Sequence, residues 1–386
     1  MQDQIARYCA KLVADRSAAA DGIAFAAQDD RLITAGNAAL APLAGEVLSR
    51  LTCLALVAAR PSLPFAEFLI ARAAAGEERI VPSDTETRTF LHDIPFLRCA
   101  ELADEPTARM ATLLANRKGI VAEGVGIVAT GTITVEQAYI NYSSVFHSTF
   151  VKYLQDLLRD GFLVHGERES LARFRCQWLR PLTAEGLAFR GHLDDPDSIL
   201  AELATVGRYT VERGLVDSFF GNISCRLGDT VYISQTASSL DELAGCIDPV
   251  PFDNSSTFGI TASSELLAHR RIYEETGARV ILHGHPKFAV VMSMLCEEEG
   301  CPVTDCWRDC ARVRFLGDTP VVAGEIGAGG LARRVPPVIG QTGAAVVYGH
   351  GVFTIGDDFD QAFRALVEVE NWCRQEYFRR LEERGE

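Results

Sequence analysis

Two short histidine motifs are the parts of this sequence whose residue types and spacing could do chemistry. His283 and His285 are separated by one glycine, and His350 lies later in the chain between two glycines. Apolar residues lead into both motifs, so both are predicted to lie where buried strands end. Side chains two positions apart point to the same face of a strand, so the first two imidazoles can converge on one point.

A metal site is the chemistry that this spacing favours. Three imidazoles that leave a fourth coordination position open are a common ligand set for catalytic zinc, whereas a structural zinc site closes with a fourth ligand, usually cysteine. We therefore expect His283, His285 and His350 to bind Zn²⁺, with another divalent metal as the alternative. The competing interpretation is that each is a core histidine that donates a hydrogen bond to a carbonyl.

Glu265 is the carboxylate that could complete this site. Ser263 and Ser264 precede it and an apolar helical pattern follows, so a serine can cap a helix and leave Glu265 in the first turn. The alternative to a catalytic role is a capping glutamate that the helix dipole favours.

The order of these motifs resembles that of the class II aldolase/adducin family. The resemblance covers roughly residues 195 to 380 and rests on Gly221-Asn222-Ile223-Ser224, on Ser263-Ser264-Glu265 followed by His269 and Tyr273, on His283-Gly284-His285-Pro286, and on Gly349-His350-Gly351-Val352-Phe353. It implies an α/β fold of two aldolase/adducin-like domains, each with a central, mostly antiparallel sheet sandwiched by helices.

The resemblance also implies roles for single residues. The three histidines would bind the metal, Glu265 would be the general base, and Tyr377 of the last helix is a candidate acid. Phosphate recognition in the family implies the substrate-binding residues Asn222, Ser224, Thr236, Ser263 and Ser264. The chain departs from the family pattern at Ala237, where a glycine is usual, and the added Cβ would crowd a backbone that must approach a phosphate closely.

The function implied is a zinc-dependent lyase of the class II aldolase type, which cleaves or joins a hydroxyketone, with or without a phosphate, through an enediolate. Zinc would stabilise the developing charge, and a base with its pKa raised toward neutrality would move the proton. The family's epimerases carry aspartate in place of Glu265, which favours carbon–carbon cleavage here. The alternatives are an epimerase, a dehydratase or a decarboxylase, or a non-catalytic adducin-like assembly protein.

The two halves of the chain share motif positions at one constant offset. Adding 225 to a position in the first half brings Ala58-Ala59-Arg60-Pro61 onto His283-Gly284-His285-Pro286, Asp93-Ile94-Pro95 onto Asp318-Thr319-Pro320, and Gly124-Val125-Gly126 onto Gly349-His350-Gly351. The constant offset predicts an internal duplication. The first copy has Ala58, Arg60 and Val125 at the positions of the metal ligands and Leu40 at the position that corresponds to Glu265. We therefore expect it to share the fold of the second copy without its catalytic residues.

Length and composition fit this organisation. The 386 residues, 48% of them hydrophobic, suffice for two domains. We expect a degenerate domain lacking metal ligands at 1–159, a connector at 160–194 and the zinc-binding catalytic domain at 195–386. A net charge of −15 argues against binding to nucleic acid or an anionic membrane, and the absence of a long apolar run or a signal-like start predicts a cytoplasmic protein. The expected partners are a small carbohydrate-like substrate and a second copy of the chain, in a homodimer or higher homo-oligomer.

Two other signals compete with this interpretation. Cys296, Cys301, Cys306 and Cys310 fall within 15 residues but contain no C-x2-C pair, which favours free thiols over a second metal site. The stretch from Gly327 to Ala332 fits a dinucleotide-binding pattern but lacks the acidic residue expected about 20 positions later, so it is predicted to be a turn that opens a helix.

Overall fold

The chain forms two compact units, Met1–Arg180 (unit 1) and Pro181–Glu386 (unit 2). The computed structural model describes residues 1–179, 182–191, 193–217, 219–298, 300–324 and 327–384. The division between the units falls inside segment 160–194, which the sequence predicts to be a connector. Part of that segment is regular structure, because a helix spans Glu167–Arg173 and a π-helical turn follows at Phe174–Trp178.

Unit 1 is a sheet with helices on both faces. Its helices are α1 (Gln2–Ala14), α2 (Leu40–Leu48), α3 (Phe65–Arg72), α4 (Thr85–Leu91), α5 (Pro106–Leu114), α6 (Val135–Asp160) and α7 (Glu167–Arg173). Its strands are β1 (Ala18–Gln28), β2 (Leu32–Gly36), β3 (Ala55–Pro61), β4 (Arg79–Ile80), β5 (Ile94–Leu97), β6 (Gly119–Ala122) and β7 (Gly126–Gly131), in the sheet order β2-β1-β3-β7-β6-β5-β4. The central strands β3, β6 and β7 are apolar runs because helices α2 and α5 cover one face and α6 covers the other.

Unit 2 has the same architecture. Its helices are α8 (Pro196–Glu212), α9 (Leu266–Thr276), α10 (Lys287–Ser293), α11 (Cys306–Asp309), α12 (Ala328–Arg334), α13 (Pro336–Thr342) and α14 (Phe359–Glu383). Its strands are β8 (Asn222–Leu227), β9 (Thr230–Ser234), β10 (Ile247–Pro251), β11 (Val280–Gly284), β12 (Arg314–Leu316), β13 (Thr319–Val322), β14 (Ala344–Val347) and β15 (Gly351–Gly356), in the order β10-β9-β8-β11-β15-β14-β13-β12.

The predicted fold class is confirmed in both units. Neighbouring strands pair antiparallel except for β5 with β6 and β13 with β14, which pair parallel. In unit 2, helices α9, α12 and α13 bury apolar residues against one face of the sheet, and α8, α10 and α14 pack on the other. The mostly antiparallel sheet between two helical layers is therefore the architecture expected from the sequence.

The two units share strand order and register. Strand β3 pairs Ala58 with Val128 of β7, and strand β11 pairs His283 with Phe353 of β15, which are the positions 225 residues later. The parallel strand pairs show the same offset of 225 residues, because Phe96 of β5 lies opposite Val121 of β6 and Val321 of β13 lies opposite Val346 of β14. Unit 2 adds strand β10 at one edge. This agreement supports the predicted duplication, which stays a prediction.

Two helix starts follow ordinary local rules. Helix α14 begins at Phe359, and the side chain of Asp358 caps it by accepting a hydrogen bond from the backbone of Gln361. Gly327 precedes the first residue of α12, so the glycine-rich stretch opens a helix as expected. Of the helices in the described ranges, none combines the length and the apolar character needed to cross a bilayer.

Candidate metal centre and active site

Strand β11 positions the first two histidines. It lies between β8 and β15 in the sheet of unit 2, and its run of branched apolar residues leads directly into His283. His283 is the fourth residue of the strand and His285 follows its last residue, and both are buried. Their Nε2 atoms lie 3.0 Å apart, so the two imidazoles converge on one point as the spacing predicts.

The protonation of His283 is fixed by its surroundings. Its Nδ1 lies 3.0 Å from the carbonyl oxygen of Val352, which can only accept a hydrogen bond, so Nδ1 carries the proton. Burial lowers the pKa of His283 to about 4, so the ring is neutral at physiological pH. The ring also stacks on Phe353 at a centroid distance of 3.9 Å. Its Nε2 therefore presents a lone pair to the site.

The turn between β14 and β15 brings the third histidine. Gly349 takes a left-handed conformation with φ of +59°, and its N–H donates to Ser293 Oγ at 2.8 Å, which ties the turn to helix α10. The ring centroid of His350 lies 5.1 Å from that of His283 and 4.9 Å from that of His285. Ligand atoms of the three imidazoles all lie within 4.8 Å of one another.

Gly351 allows the strands to approach closely beside the histidine rings. A Cβ at this position would lie 2.4 Å from the carbonyl oxygen of Gly284, 2.9 Å from a ring carbon of His283 and 3.0 Å from a ring carbon of His285. Such contacts are closer than carbon and oxygen atoms tolerate. The glycine after His350 therefore serves the packing of the histidine cluster.

A buried carboxylate holds the start of the helix that follows the first two histidines. Glu370 of α14 accepts hydrogen bonds from the backbone N–H groups of Phe288 and Ala289 at 3.3 and 2.9 Å. The guanidinium of Arg374 lies 3.1 Å from the same carboxylate. Helix α10 thus begins at a fixed place, and it anchors the chain just after His285.

Glu265 lies against the histidine cluster. It is the residue before helix α9, and one carboxylate oxygen, Oε2, lies 3.4 Å from His283 Nε2 while the other, Oε1, lies 3.4 Å from His350 Nε2. Asn222 donates to Oε2 at 2.7 Å. The side chain keeps 12% of its surface exposed, so a substrate could reach it.

The pKa of Glu265 differs from the expectation. Burial raises this pKa. The imidazoles of His283 and His350 and the amide of Asn222 together lower it by more than burial raises it, so the net pKa lies below the ordinary range. The expectation of a pKa raised toward neutrality is therefore wrong for this arrangement of the side chains. The carboxylate is ionised at neutral pH and ready to accept a proton.

Behind Glu265 lies a buried group of polar side chains that the sequence reasoning did not connect. The ring of His269 reaches Asn222 through Nε2 and reaches Ser224 Oγ through Nδ1 at 2.7 Å, and Ser224 Oγ lies 2.7 Å from the hydroxyl of Tyr273. Glu265, His269 and Tyr273 recur every four residues. That spacing places them on one face of a helix, and it is the signal that could have revealed the group.

Two of the predicted substrate-binding residues, Thr236 and Ser264, are exposed. The backbone N–H of Ser263 donates to the carbonyl of Ser234, so the turn that carries Thr236 lies beside the loop before α9. Ser224 is a correction, because it is fully buried and its hydroxyl is engaged by His269 and Tyr273. A ligand cannot reach Ser224 without displacing these two side chains.

The other hydroxyls and Ala237 refine this view. Thr236 Oγ1 donates to the carbonyl of Ala262 at 3.0 Å, and Ser263 Oγ accepts from the N–H of Glu265 at 3.3 Å. Ala237 has φ of +60°, in the left-handed region that favours glycine. The turn thus keeps the backbone shape of a glycine turn and carries an extra methyl group.

Tyr377 is a second correction. Its side chain is fully buried, and its ring packs against Phe288 at 5.2 Å and Phe378 at 5.3 Å between α10 and α14. A phenol enclosed in this aromatic core cannot contact a substrate bound in unit 2. The candidate acid therefore has to be sought elsewhere.

The donor atoms fit a divalent metal such as zinc. Bonds of about 2.0–2.2 Å at tetrahedral angles separate two ligand atoms by about 3.3–3.5 Å. The Glu265 oxygens lie 3.4 Å from His283 Nε2 and His350 Nε2, and the Nε2 atoms of His283 and His285 are 3.0 Å apart. Three imidazole nitrogens are a ligand set that suits zinc, and they leave a coordination position open.

The four clustered cysteines do not form a comparable group. Within the part of the chain that the structure describes, the histidine trio is the one set of three or more such side chains whose ligand atoms lie within 4.8 Å of one another. Cys296 is exposed, and Cys301, Cys306 and Cys310 are partly buried. Burial raises the pKa of the Cys306 thiol, and the charges of the other three thiols raise it further, so the four cysteines are neighbours without the close spacing of the histidines.

Comparison with known proteins agrees with the site. Residues 201–377, called the aldolase/adducin segment below, match the family model described as the class II aldolase and adducin N-terminal domain. This part of the chain belongs to the class II aldolase/adducin family. The predicted family is therefore confirmed for the aldolase/adducin segment, which contains the histidines, Glu265 and the turns around them.

Relatives of the aldolase/adducin segment carry more than one activity. A methylthioribulose-1-phosphate dehydratase of Gluconobacter oxydans is 28% identical over 186 residues, which cover 44% of this chain and 85% of the relative. An L-fuculose phosphate aldolase of Methanococcus maripaludis is 24% identical over 182 residues, which cover 46% of this chain and 96% of the relative. The solved L-fuculose-1-phosphate aldolase of Thermus thermophilus is 23% identical, with a TM-score of 0.39 over 48% of this chain and 95% of the other.

Proposed function

We propose that this protein is a zinc-dependent lyase whose substrate is a hydroxyketone and whose reaction passes through the anion next to the carbonyl. The observation that carries the proposal is the convergence of three buried or half-buried imidazoles with the carboxylate of Glu265, at 3.4 Å from two of them. Membership of the aldolase/adducin segment in a lyase family supports the same reaction class.

The histidines would hold the metal. His283, His285 and His350 are the proposed ligands, and neutral imidazoles leave a bound cation its full charge. A zinc ion bound there would supply Lewis-acid chemistry, polarising the substrate carbonyl and stabilising the negative charge that develops beside it. The hydrogen bond from His283 Nδ1 to the carbonyl of Val352 keeps the ring oriented before a metal arrives.

Glu265 would be the general base. Its lowered pKa keeps it ionised at neutral pH, and its partial exposure leaves it open to a substrate proton. The donation from Asn222 to Oε2 holds the carboxylate in one orientation. A base positioned in this way typically contributes a factor of about 10²–10⁴ to the rate.

Two reactions share this proton transfer. Removal of a proton from the carbon next to the carbonyl begins an aldol condensation, whose reverse is cleavage. The same removal followed by loss of hydroxide from the neighbouring carbon is a dehydration. Aldolase is the first candidate, because the motif set matches that of the family's zinc aldolases. Dehydratase is the second candidate, because three of the curated relatives carry a dehydratase name.

The test is to assay the purified, zinc-loaded full chain against L-fuculose 1-phosphate, methylthioribulose 1-phosphate and unphosphorylated hydroxyketones. Cleavage gives two carbonyl products and dehydration gives one product that lacks a water, so mass spectrometry separates the two candidates. Substitution His285→Ala should abolish metal binding and turnover together. The matched control is Arg60→Ala at the equivalent position of unit 1, which should keep about one metal per chain. Full activity of His285→Ala would refute the proposed ligands.

A further inference from the structure

A line of buried polar side chains leads away from Glu265 into the space between β8 and α9. It consists of Asn222 and Ser224 on the strand and His269 and Tyr273 on the helix, and each is 5% exposed or less. Each of these side chains bonds to the next one in the line. Polar groups buried this deeply destabilise the fold unless every hydrogen bond is made in a compatible direction.

The direction of the line is fixed from the carboxylate end. Asn222 turns its NH2 group toward Glu265 Oε2, to which it donates at 2.7 Å, and its carbonyl oxygen toward Nε2 of His269. That carbonyl can only accept, so Nε2 of His269 must carry the proton. Burial lowers the pKa of His269 to about 3, so the ring is neutral and its Nδ1 is bare.

The directions of the remaining two hydrogen bonds are then determined. Bare Nδ1 of His269 accepts from the hydroxyl of Ser224. Because the proton of that hydroxyl is used, Ser224 Oγ accepts from the hydroxyl of Tyr273. Every hydrogen bond in the line therefore points toward Glu265, and turning the Asn222 amide around would break this order.

We propose that His269, Ser224 and Tyr273 are positioning residues that lock the amide of Asn222, so that its NH2 group holds the Glu265 carboxylate in one orientation beside the histidine cluster. The proposal rests on the proposed role of Glu265 as the base. Oε2 receives the Asn222 N–H at 2.7 Å, and the same carboxylate lies 3.4 Å from His283 Nε2 through Oε2 and 3.4 Å from His350 Nε2 through Oε1. A fixed Asn222 amide therefore fixes how the carboxylate faces the histidines.

The first test reads the tautomer of His269 in the resting protein. The full chain is labelled with ¹⁵N in its histidine rings, and the signals of His269 are assigned by their loss in His269→Gln. The expected result is a neutral ring with the proton on Nε2. A proton on Nδ1 would reverse the line and overturn the proposal. This measurement needs no substrate, so it stays decisive if the chain proves inactive on every compound of the panel, an outcome that would sink the proposed function alone.

The second test separates positioning from filling of space. His269→Leu removes the donor to Asn222 and should lower kcat about 10- to 100-fold, as loss of a partner behind a catalytic group typically does, with KM and zinc content unchanged. His269→Gln keeps an NH2 group that can donate to Asn222 and should recover most of the lost kcat. The matched control is His147→Leu, which removes a buried histidine of α6 in unit 1 and should leave kcat unchanged.

Each outcome of this series decides something. Recovery by glutamine with the Nε2–H tautomer supports the positioning role. Equal losses in the leucine and glutamine variants would mean that His269 only fills space, and would overturn it. A leucine variant that fails to fold leaves the decision to the tautomer and to the comparison of His269→Gln with the unsubstituted chain.

Discussion

Substitution Gly351→Ala should weaken both the fold of unit 2 and its metal site. The added Cβ would lie 2.4 Å from the carbonyl oxygen of Gly284, about 1 Å short of an ordinary contact. Because both atoms belong to strands β11 and β15, the backbones have to separate. The Cβ would also lie 2.9 Å from a ring carbon of His283 and 3.0 Å from one of His285, so the imidazoles have to move as well.

The expected magnitudes follow from these displacements. Overpacking of a close-packed site costs about 1–3 kcal/mol in the free energy of unfolding. Displacement of two imidazoles by their surroundings should raise the zinc Kd about 10- to 100-fold. Urea denaturation measures the first quantity, and competition for zinc with a chromogenic chelator measures the second.

The control for this prediction is Gly329→Ala. Gly329 lies within α12, and a Cβ there would meet no heavy atom of the described residues within 4 Å. Alanine favours a helix over glycine by about 1 kcal/mol, so this variant should be slightly stabilised and should bind zinc normally. Unchanged zinc affinity and stability in Gly351→Ala would refute the close approach of the two strands and the packing argument built on it.

Four further predictions test other parts of unit 2 and the assembly. Glu265→Gln should keep its zinc and lower turnover by about 10²–10⁴, and near-normal turnover would leave Glu265 only a capping role. Ala237→Gly should stabilise the protein by about 0.5 kcal/mol in urea, because glycine relieves the left-handed backbone, and a loss of stability would contradict that conformation. Glu370→Ala should lose about 3 kcal/mol, since Arg374 and two backbone N–H groups lose a buried partner, and unchanged stability would contradict this contact. Light scattering should give twice the chain mass of 42.0 kDa, and a monomer would contradict the expected homodimer.

The sequence was sufficient for features set by short-range rules. The alternation of side chains along a strand placed His283 and His285 together, and the glycines around His350 marked the turn that brings the third ring. The constant offset between the halves anticipated a shared strand order and register. These features depend on periodicity and turn chemistry, which one sequence displays directly.

Features that depend on which faces meet in three dimensions were harder to predict. Ser224 has the residue type of a phosphate ligand, but the face of β8 that carries it is covered by α9, so its hydroxyl is used inside the protein. Tyr377 lies on the expected helix, but α10 encloses its ring. The pKa of Glu265 depends on the balance between burial and four neighbours, and no sequence spacing gives that balance.

The shared register of the two units bears on how the proposed metal site would be filled. Unit 1 pairs its strands in the same register as unit 2 although Ala58, Arg60 and Val125 stand at the positions of the histidines. Hydrogen bonds and apolar packing are therefore enough to hold such a sheet together. It follows that chelation of the proposed zinc should leave a folded apoprotein that can be reloaded, and that the ion bound in a cell would be set by exchange with the ions available there rather than fixed during folding.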